Sequence, residues 1–131
     1  GGKKINNFYE VIKEMDYVSI HMPLTEKSKN LINIKVLNAM KKSSIIINTS
    51  RGGIINEVDL NEALNEGLIA GAAVDVFSKE PAKENVLFNN PKAVLTPHVA
   101  ASTTEASIVV AEMVANQISD FLLNGVKKNT V

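Results

Sequence analysis

The stretch Ile45-Ile46-Ile47-Asn48-Thr49-Ser50-Arg51-Gly52-Gly53 decides how this chain folds. Three β-branched residues in succession read as a strand buried on both faces, as in parallel sheets. The strand stops at small polar residues, and Arg51 follows with Gly52 and Gly53 behind it. In open α/β sheets, ligands bind just beyond the carboxyl ends of the strands. A cation at such a tip, beside a flexible Gly-Gly, is placed to meet an anionic ligand. An arginine on an ordinary surface turn would look the same in isolation. The rest of the chain separates the two readings, because it repeats the strand-then-polar-tip design.

Upstream, Tyr17 to Met22 reads as a strand stopped by Pro23, and downstream Ile69 to Asp75 and Ala93 to Thr96 read as two more, the last stopped by Pro97. Helical patterns fall between them. Asn7 caps a helix with Phe8, Val11, Ile12 and Met15 on one face, and Asn33 caps a short one carrying Ile34, Leu37 and Met40. Asn56 caps a third with Leu60, Ala63 and Leu64 inward, closed by Gly67. Glu57, Asp59 and Glu62 on that helix read most simply as a solvated face. The small residues Ala70, Gly71, Ala72 and Ala73 imply close packing around the third strand. Residues 24–30 read as a polar loop and residues 77–91 as irregular. Gly1-Gly2-Lys3-Lys4-Ile5 reads as a very short strand or a cloning remnant.

Ser102 and Glu105 match a capping box, with Ser102 as the cap, and the helix it opens should run to about Leu123, before Gly125. Its residues Ile108, Val109, Val110, Val114, Ile118, Phe121 and Leu122 cover more than one face, as in a helix held between two bodies. Strands alternating with helices give an α/β fold with a parallel sheet and right-handed crossovers.

At 131 residues the chain is one domain at most, long enough for a core. Its 14 basic and 14 acidic residues balance and scatter, so it has neither the basic face of a nucleic-acid binder nor a polybasic membrane patch. With no cysteine it has no disulfide or thiolate metal site, and two histidines do not make a histidine-rich one. No apolar run approaches a membrane span, and no signal-peptide pattern opens the chain. No metal, nucleic-acid or membrane partner is expected.

The strand tips carry the chemistry: His21 at the first, Arg51 after the second, Asp75 at the third, and His98 after Pro97 at the last, with Glu80 in the loop after Asp75. In a parallel sheet these tips share one edge. A guanidinium grips a carboxylate bidentately, a histidine moves a proton near neutral pH, and a neighbouring carboxylate fixes its tautomer.

Three motifs, Asn48-Thr49-Ser50-Arg51-Gly52-Gly53, Asp75-Val76-Phe77-Ser78-Lys79-Glu80-Pro81 and Thr96-Pro97-His98-Val99-Ala100-Ala101-Ser102-Thr103, make the chain resemble the NAD-dependent D-2-hydroxyacid dehydrogenases, their phosphoglycerate dehydrogenase branch most of all. The resemblance implies a Rossmann-like sheet and three catalytic residues. Arg51 would bind the substrate carboxylate and reacting oxygen, His98 would exchange the proton, and Glu80 would support His98. It further implies NAD contacts at Thr49, Ser50, Arg51, Asp75 and His98, at the backbone of Ala100 and Ala101, and at His21 and Pro23. The implied substrate is a small 2-hydroxy or 2-oxo acid, 3-phosphoglycerate in that branch, handled by a cytoplasmic homodimer or larger homo-oligomer. A dinucleotide-sensing corepressor or scaffold of the same superfamily would keep the same residues. Two family features have no counterpart here: the Gly-rich turn after the first Rossmann strand, and the acidic residue after the second. Residues 1–131 are therefore expected to be a partial NAD-binding domain, without its first βαβ unit and the substrate domain. Lys42-Ser43-Ser44 stands where the family commonly has Pro-Gly, an exchange expected to be structurally mild.

Overall fold

A computed structural model describes residues 2–129, in two compact units that divide after His98. The first unit holds four parallel strands in the order β1-β2-β3-β4: β1 (Tyr17–Ile20), β2 (Ile45–Asn48), β3 (Gly71–Val74) and β4 (Ala93–Leu95). The α/β parallel sheet read from the sequence is therefore present, with β1, β3 and β4 each shorter than expected. Ile69 and Asp75 leave the ladder but stay buried. Gly2 to Ile5 form no strand, and Gly1 lies outside the described residues.

The helices begin where asparagines accept their first free N–H groups. Asn7 opens α1 (Phe8–Val11), which tightens into a 3₁₀ turn over Ile12–Glu14. Asn33 accepts from Lys35 and Val36 at the start of α2 (Ile34–Ala39). Asn56 accepts from Val58 and Asp59 at the start of α3 (Glu57–Asn65). Beyond α3 the chain reverses through Gly67 at φ 67°, a left-handed conformation that costs glycine little.

Each crossover steps one strand in the same direction, so right-handedness places the crossover helices on one face of the sheet. The core lies between: Ile20, Ile46, Ala72 and Val74 from the strands meet Val36 and Leu37 of α2 and Leu60, Ala63 and Leu64 of α3. Burying each Ile, Leu or Val contributes about 1.5–3 kcal/mol. The expectation that β2 is buried on both faces needs correction. Ile46 and Asn48 are 0% and 1% exposed, whereas Ile45 and Ile47 are only partly covered. The physical reason is the one-sided layering, since no helix of this unit reaches the opposite face.

The polar loop after β1 is more ordered than its composition suggests. The Ser28 hydroxyl donates to the Pro23 carbonyl at 2.8 Å, and Thr25 N–H donates back to Ser28 Oγ at 2.7 Å. Ile32 then bridges in parallel to Ile55, with Asn30 N–H donating to the Gly53 carbonyl at 2.8 Å. This short ladder ties the chain beyond β1 to the chain beyond β2. Ser44, in the departure from Pro-Gly, is fully buried and donates from its hydroxyl to the Met15 carbonyl at 2.7 Å.

The second unit is dominated by α4 (Thr104–Asn124). Its cap is Thr103, whose Oγ1 accepts from Ala106 N–H at 3.1 Å, one residue later than the expected Ser102. The expected stop holds: Gly125 sits at φ 65°, and its N–H donates to the Phe121 carbonyl. By length and composition alone, α4 is apolar enough to cross a membrane, with 21 residues and a mean hydropathy of 1.3. The reading that no apolar run approaches a span is corrected to that extent. Glu112, Asn116 and Gln117 interrupt the run without making it polar overall.

Candidate active site

The β2 tip is built by one buried amide. Asn48 Nδ2 donates to the Arg51 carbonyl at 3.0 Å, while its Oδ1 accepts from Ser50 N–H at 3.1 Å and Ser50 Oγ at 3.0 Å. The side chain therefore closes a turn that throws residues 49–51 outward. Thr49 and Arg51 are exposed and Ser50 half-buried. The Arg51 guanidinium donates from Nη1 to the Ser50 carbonyl at 2.6 Å, with no bond to Glu80 or His98.

Gly52 follows because no side chain would fit. A Cβ built there would overlap the carbonyl of Phe77, so the Arg51 turn lies directly against the Phe77–Ser78 peptide. The need is space rather than backbone freedom, since only Gly53 of the pair has a positive φ, 78°.

At the β3 tip, Asp75 is 3% exposed and accepts on Oδ1 from the Thr96 hydroxyl at 2.5 Å. Its carbonyl takes the His98 N–H at 2.7 Å. Asp75 thus fastens the β3 and β4 tips together. His98 itself stands at φ 56°, in the left-handed region where a non-glycine residue is uncommon and which is often associated with function.

His98 and Glu80 meet directly. Nδ1 lies 2.7 Å from Glu80 Oε2, and since a carboxylate can only accept, the ring donates from Nδ1 and keeps Nε2 as its other nitrogen. Glu80 Oε1 accepts from Phe77 N–H at 2.9 Å, which sets the carboxylate's orientation. The His98 hydrogen bond, and then that of Phe77, hold the Glu80 carboxyl below the usual glutamate range; partial burial and the Asp75 charge act the other way. Both side chains remain open to solvent, Glu80 by 34% and His98 by 50%. The pair borders a cavity of about 530 Å³ whose other walls include Phe77, Pro81, Phe88, Leu95 and Pro97. That size and an apolar lining with two convergent polar groups suit a small organic ligand. Arg51 does not line it.

Of the residues singled out from sequence, the structure joins Glu80 with His98, sets Arg51 on the neighbouring tip, and packs that tip against the carbonyl of Phe77, whose N–H orients Glu80. His21 bonds locally, Nε2 to Ser19 Oγ at 2.7 Å, beyond the end of β1, and Pro23 follows in the ordered loop. Ala100 and Ala101 belong to the second unit, on a turn before α4.

Sequence reasoning misplaced two carboxylates. Glu57 accepts three bonds from the loop after β3, and Asp59 Oδ2 accepts from Ile34 N–H at 2.8 Å, at the start of α2. Only Glu62 lies on an exposed face. Their partners lie 21 to 28 residues away in sequence, and no periodicity marks such pairings.

Comparison with known proteins agrees with this geometry. Residues 1–100 match the model of the D-isomer specific 2-hydroxyacid dehydrogenase, NAD binding domain. The whole chain is 40% identical to a D-3-phosphoglycerate dehydrogenase of Methanocaldococcus jannaschii, covering 25% of that protein. Over 99% of its length it is 40% identical to a glyoxylate reductase of Thermococcus litoralis, covering 39% of it. A D-isomer specific 2-hydroxyacid dehydrogenase from Lactobacillus delbrueckii ssp. bulgaricus, solved in its NAD complexed form, superposes with a TM-score of 0.75 at 32% identity, over 96% of this chain and 42% of that one. The chain thus spans well under half the length of these relatives, and with its parallel sheet and Glu80–His98 pair it belongs to the D-isomer specific 2-hydroxyacid dehydrogenase family, within the NAD-binding domain.

Proposed function

We propose that this chain supplies the C-terminal half of the NAD-binding domain of a cytoplasmic D-2-hydroxyacid dehydrogenase, and that the substrate is 3-phosphoglycerate, oxidised at C2 to 3-phosphohydroxypyruvate. The observation that carries the reading is the 2.7 Å Glu80–His98 pair beside the strand tip bearing Arg51. The similarity to phosphoglycerate dehydrogenases favours that acid, while an equal identity to a glyoxylate reductase keeps the test open to others.

The residues present fit a dinucleotide at the carboxyl edge of the sheet. Thr49, Arg51, His21, Pro23 and His98 are exposed there and Ser50 half-open, as expected of groups that line a crevice beyond strand ends. These residues would hold the nicotinamide half, with Asp75 beneath them bracing the β3 and β4 tips. When bound, NAD supplies the two-electron acceptor. The chain's own residues do the rest. Arg51 grips the substrate carboxylate through its planar fork. His98 takes the proton of the C2 hydroxyl on Nε2 and returns it in the reverse direction. Glu80 holds the ring by Nδ1, so that Nε2 faces the substrate oxygen.

The test is NADH formation by the protein carrying this chain within a whole NAD-binding domain, offered 3-phosphoglycerate, glycerate and D-lactate. The highest kcat/KM is expected for 3-phosphoglycerate. Preference for another acid would overturn the substrate assignment, and no turnover with any of them would overturn the enzymatic one.

A further inference from the structure

We propose that Glu57, at the start of α3, is a positioning residue for the Glu80–His98 pair: it clamps the peptide segment from which Glu80 reaches His98. Its carboxylate collects three donors from that loop, the Ser78 N–H at 2.6 Å and hydroxyl at 3.0 Å, and Asn85 Nδ2 at 2.7 Å. Bonds to an ionised acceptor are the short, strong kind, and they gather here on one half-buried group.

What makes the clamp matter is where it acts. Phe77 and the peptide that follows it are held at three points. Phe77 N–H donates to Glu80 Oε1, Ser78 N–H donates to Glu57 Oε1, and the Phe77 carbonyl rests on Gly52. The first bond aims Glu80 so that its other oxygen meets His98 Nδ1. Releasing Ser78 lets that peptide rotate, and both the Phe77–Glu80 bond and the packing against the Arg51 turn change with it. Glu57 touches neither Glu80 nor His98, so its influence passes through the backbone alone.

The same loop is pinned at the other end of α3 by Asn90, which donates to Asn61 at 2.8 Å and Asn65 at 3.1 Å. That second staple provides a control, because it steadies the loop without touching the segment 77–80. The charged groups acting on Glu80 are His98 and Asp75, and none of the substitutions below alters either.

The importance of the pair for catalysis rests on the proposed dehydrogenase function, but the clamp itself can be tested without turnover. The Glu80 carboxyl is titrated by carbon-13 NMR in the 131-residue chain, in the parent and in Glu57→Ala, Glu57→Gln and Asn90→Ala, with thermal unfolding of each. Glu57→Ala is expected to raise the Glu80 midpoint towards that of a free glutamate, because the Phe77 bond that lowers it is loosened. Glu57→Gln keeps one acceptor oxygen and should restore part of the change. Asn90→Ala should lower the unfolding temperature and leave the midpoint in place. A Glu57→Ala chain that loses stability while its Glu80 titration overlays the parent's overturns the proposal, as does an equal shift in Asn90→Ala. If Glu57→Ala does not fold, Glu57→Gln decides by the same criterion. In the intact enzyme the matching result is a fall in kcat of roughly 10- to 100-fold, the cost of a misplaced reacting group, with KM for NAD nearly unchanged. A shifted midpoint in a protein without turnover would keep the clamp and discard the dehydrogenase reading.

Discussion

Glu80 and His98 are joined by one hydrogen bond, and that bond has consequences for both acid stability and turnover. Because the folded-state pKa of Glu80 is depressed, its contribution to stability is present above the ordinary glutamate pKa and is lost as pH falls through the lowered value. Glu80→Gln should therefore destabilise the fold at pH 7 and approach the parent once the pH has fallen through the lowered Glu80 value, a difference visible in urea unfolding at neutral and at acid pH. The effect should stay below about 1 kcal/mol, since water screens an exposed pair. A gap that persists in acid would show that Glu80 stabilises by some route other than its charge. In the intact enzyme, His98→Ala should lower turnover by about 10²- to 10⁴-fold, the usual loss for an acid–base group. Arg51→Lys keeps the charge but loses the planar fork, so steady-state kinetics should show weaker substrate use with NAD affinity little altered.

Two strand tips are brought into register by an absence. Gly52 has no Cβ, and that lets the turn carrying Arg51 press against the carbonyl of Phe77, the residue whose N–H aims Glu80. Gly52→Ala is expected to cost about 1–3 kcal/mol, as overpacking against rigid backbone does, measured as a lower urea midpoint at unchanged slope. A neutral result would mean that the two tips can part freely. Inside the same element, Asn48 satisfies groups on both Ser50 and Arg51 while itself buried. Asn48→Ala should cost a further 1–3 kcal/mol or so by leaving them unpaired. The α3 helix works at both ends too: Glu57 clamps the loop after β3, and the Lys92 ammonium donates to the Leu64 carbonyl at 2.7 Å.

For the molecule, the one-sided sheet is the dominant fact. The face away from the helices carries Tyr17, Ile45, Ile47, Ala73 and Val94, with Tyr17 70% and Val94 68% exposed. β1 also presents an edge with no strand beyond it among the described residues. An apolar face next to an open edge invites association. The 131-residue chain on its own should sediment as a concentration-dependent mixture, and Tyr17→Lys should shift it towards monomer. It should also bind NAD only weakly, because the sequence contains no Gly-rich turn to cradle the pyrophosphate at a helix N-terminus. Micromolar NAD binding by a monodisperse monomer, measured calorimetrically, would contradict both expectations. Ile108, Val110, Ile118, Phe121 and Leu122 of α4 are exposed, and hydrogen exchange should show its amides gaining protection when the chain is placed in the intact enzyme.

Local patterns in the sequence were enough for the parallel α/β fold, the asparagine caps at residues 7, 33 and 56, the glycine stops at 67 and 125, and motif order for the pairing of Glu80 with His98. Each of these depends on residues close together or on a motif whose order survives unfolding. Tertiary structure alone decided that β2 is covered on one face, because coverage depends on where crossover helices land. It alone took Glu57 and Asp59 from a supposed solvent face into contacts with distant backbone, since a carboxylate's partner is fixed by the path of another loop. And it alone revealed that Gly52 is required for space: the atom that forbids a side chain there belongs to Phe77, 25 residues further along the chain.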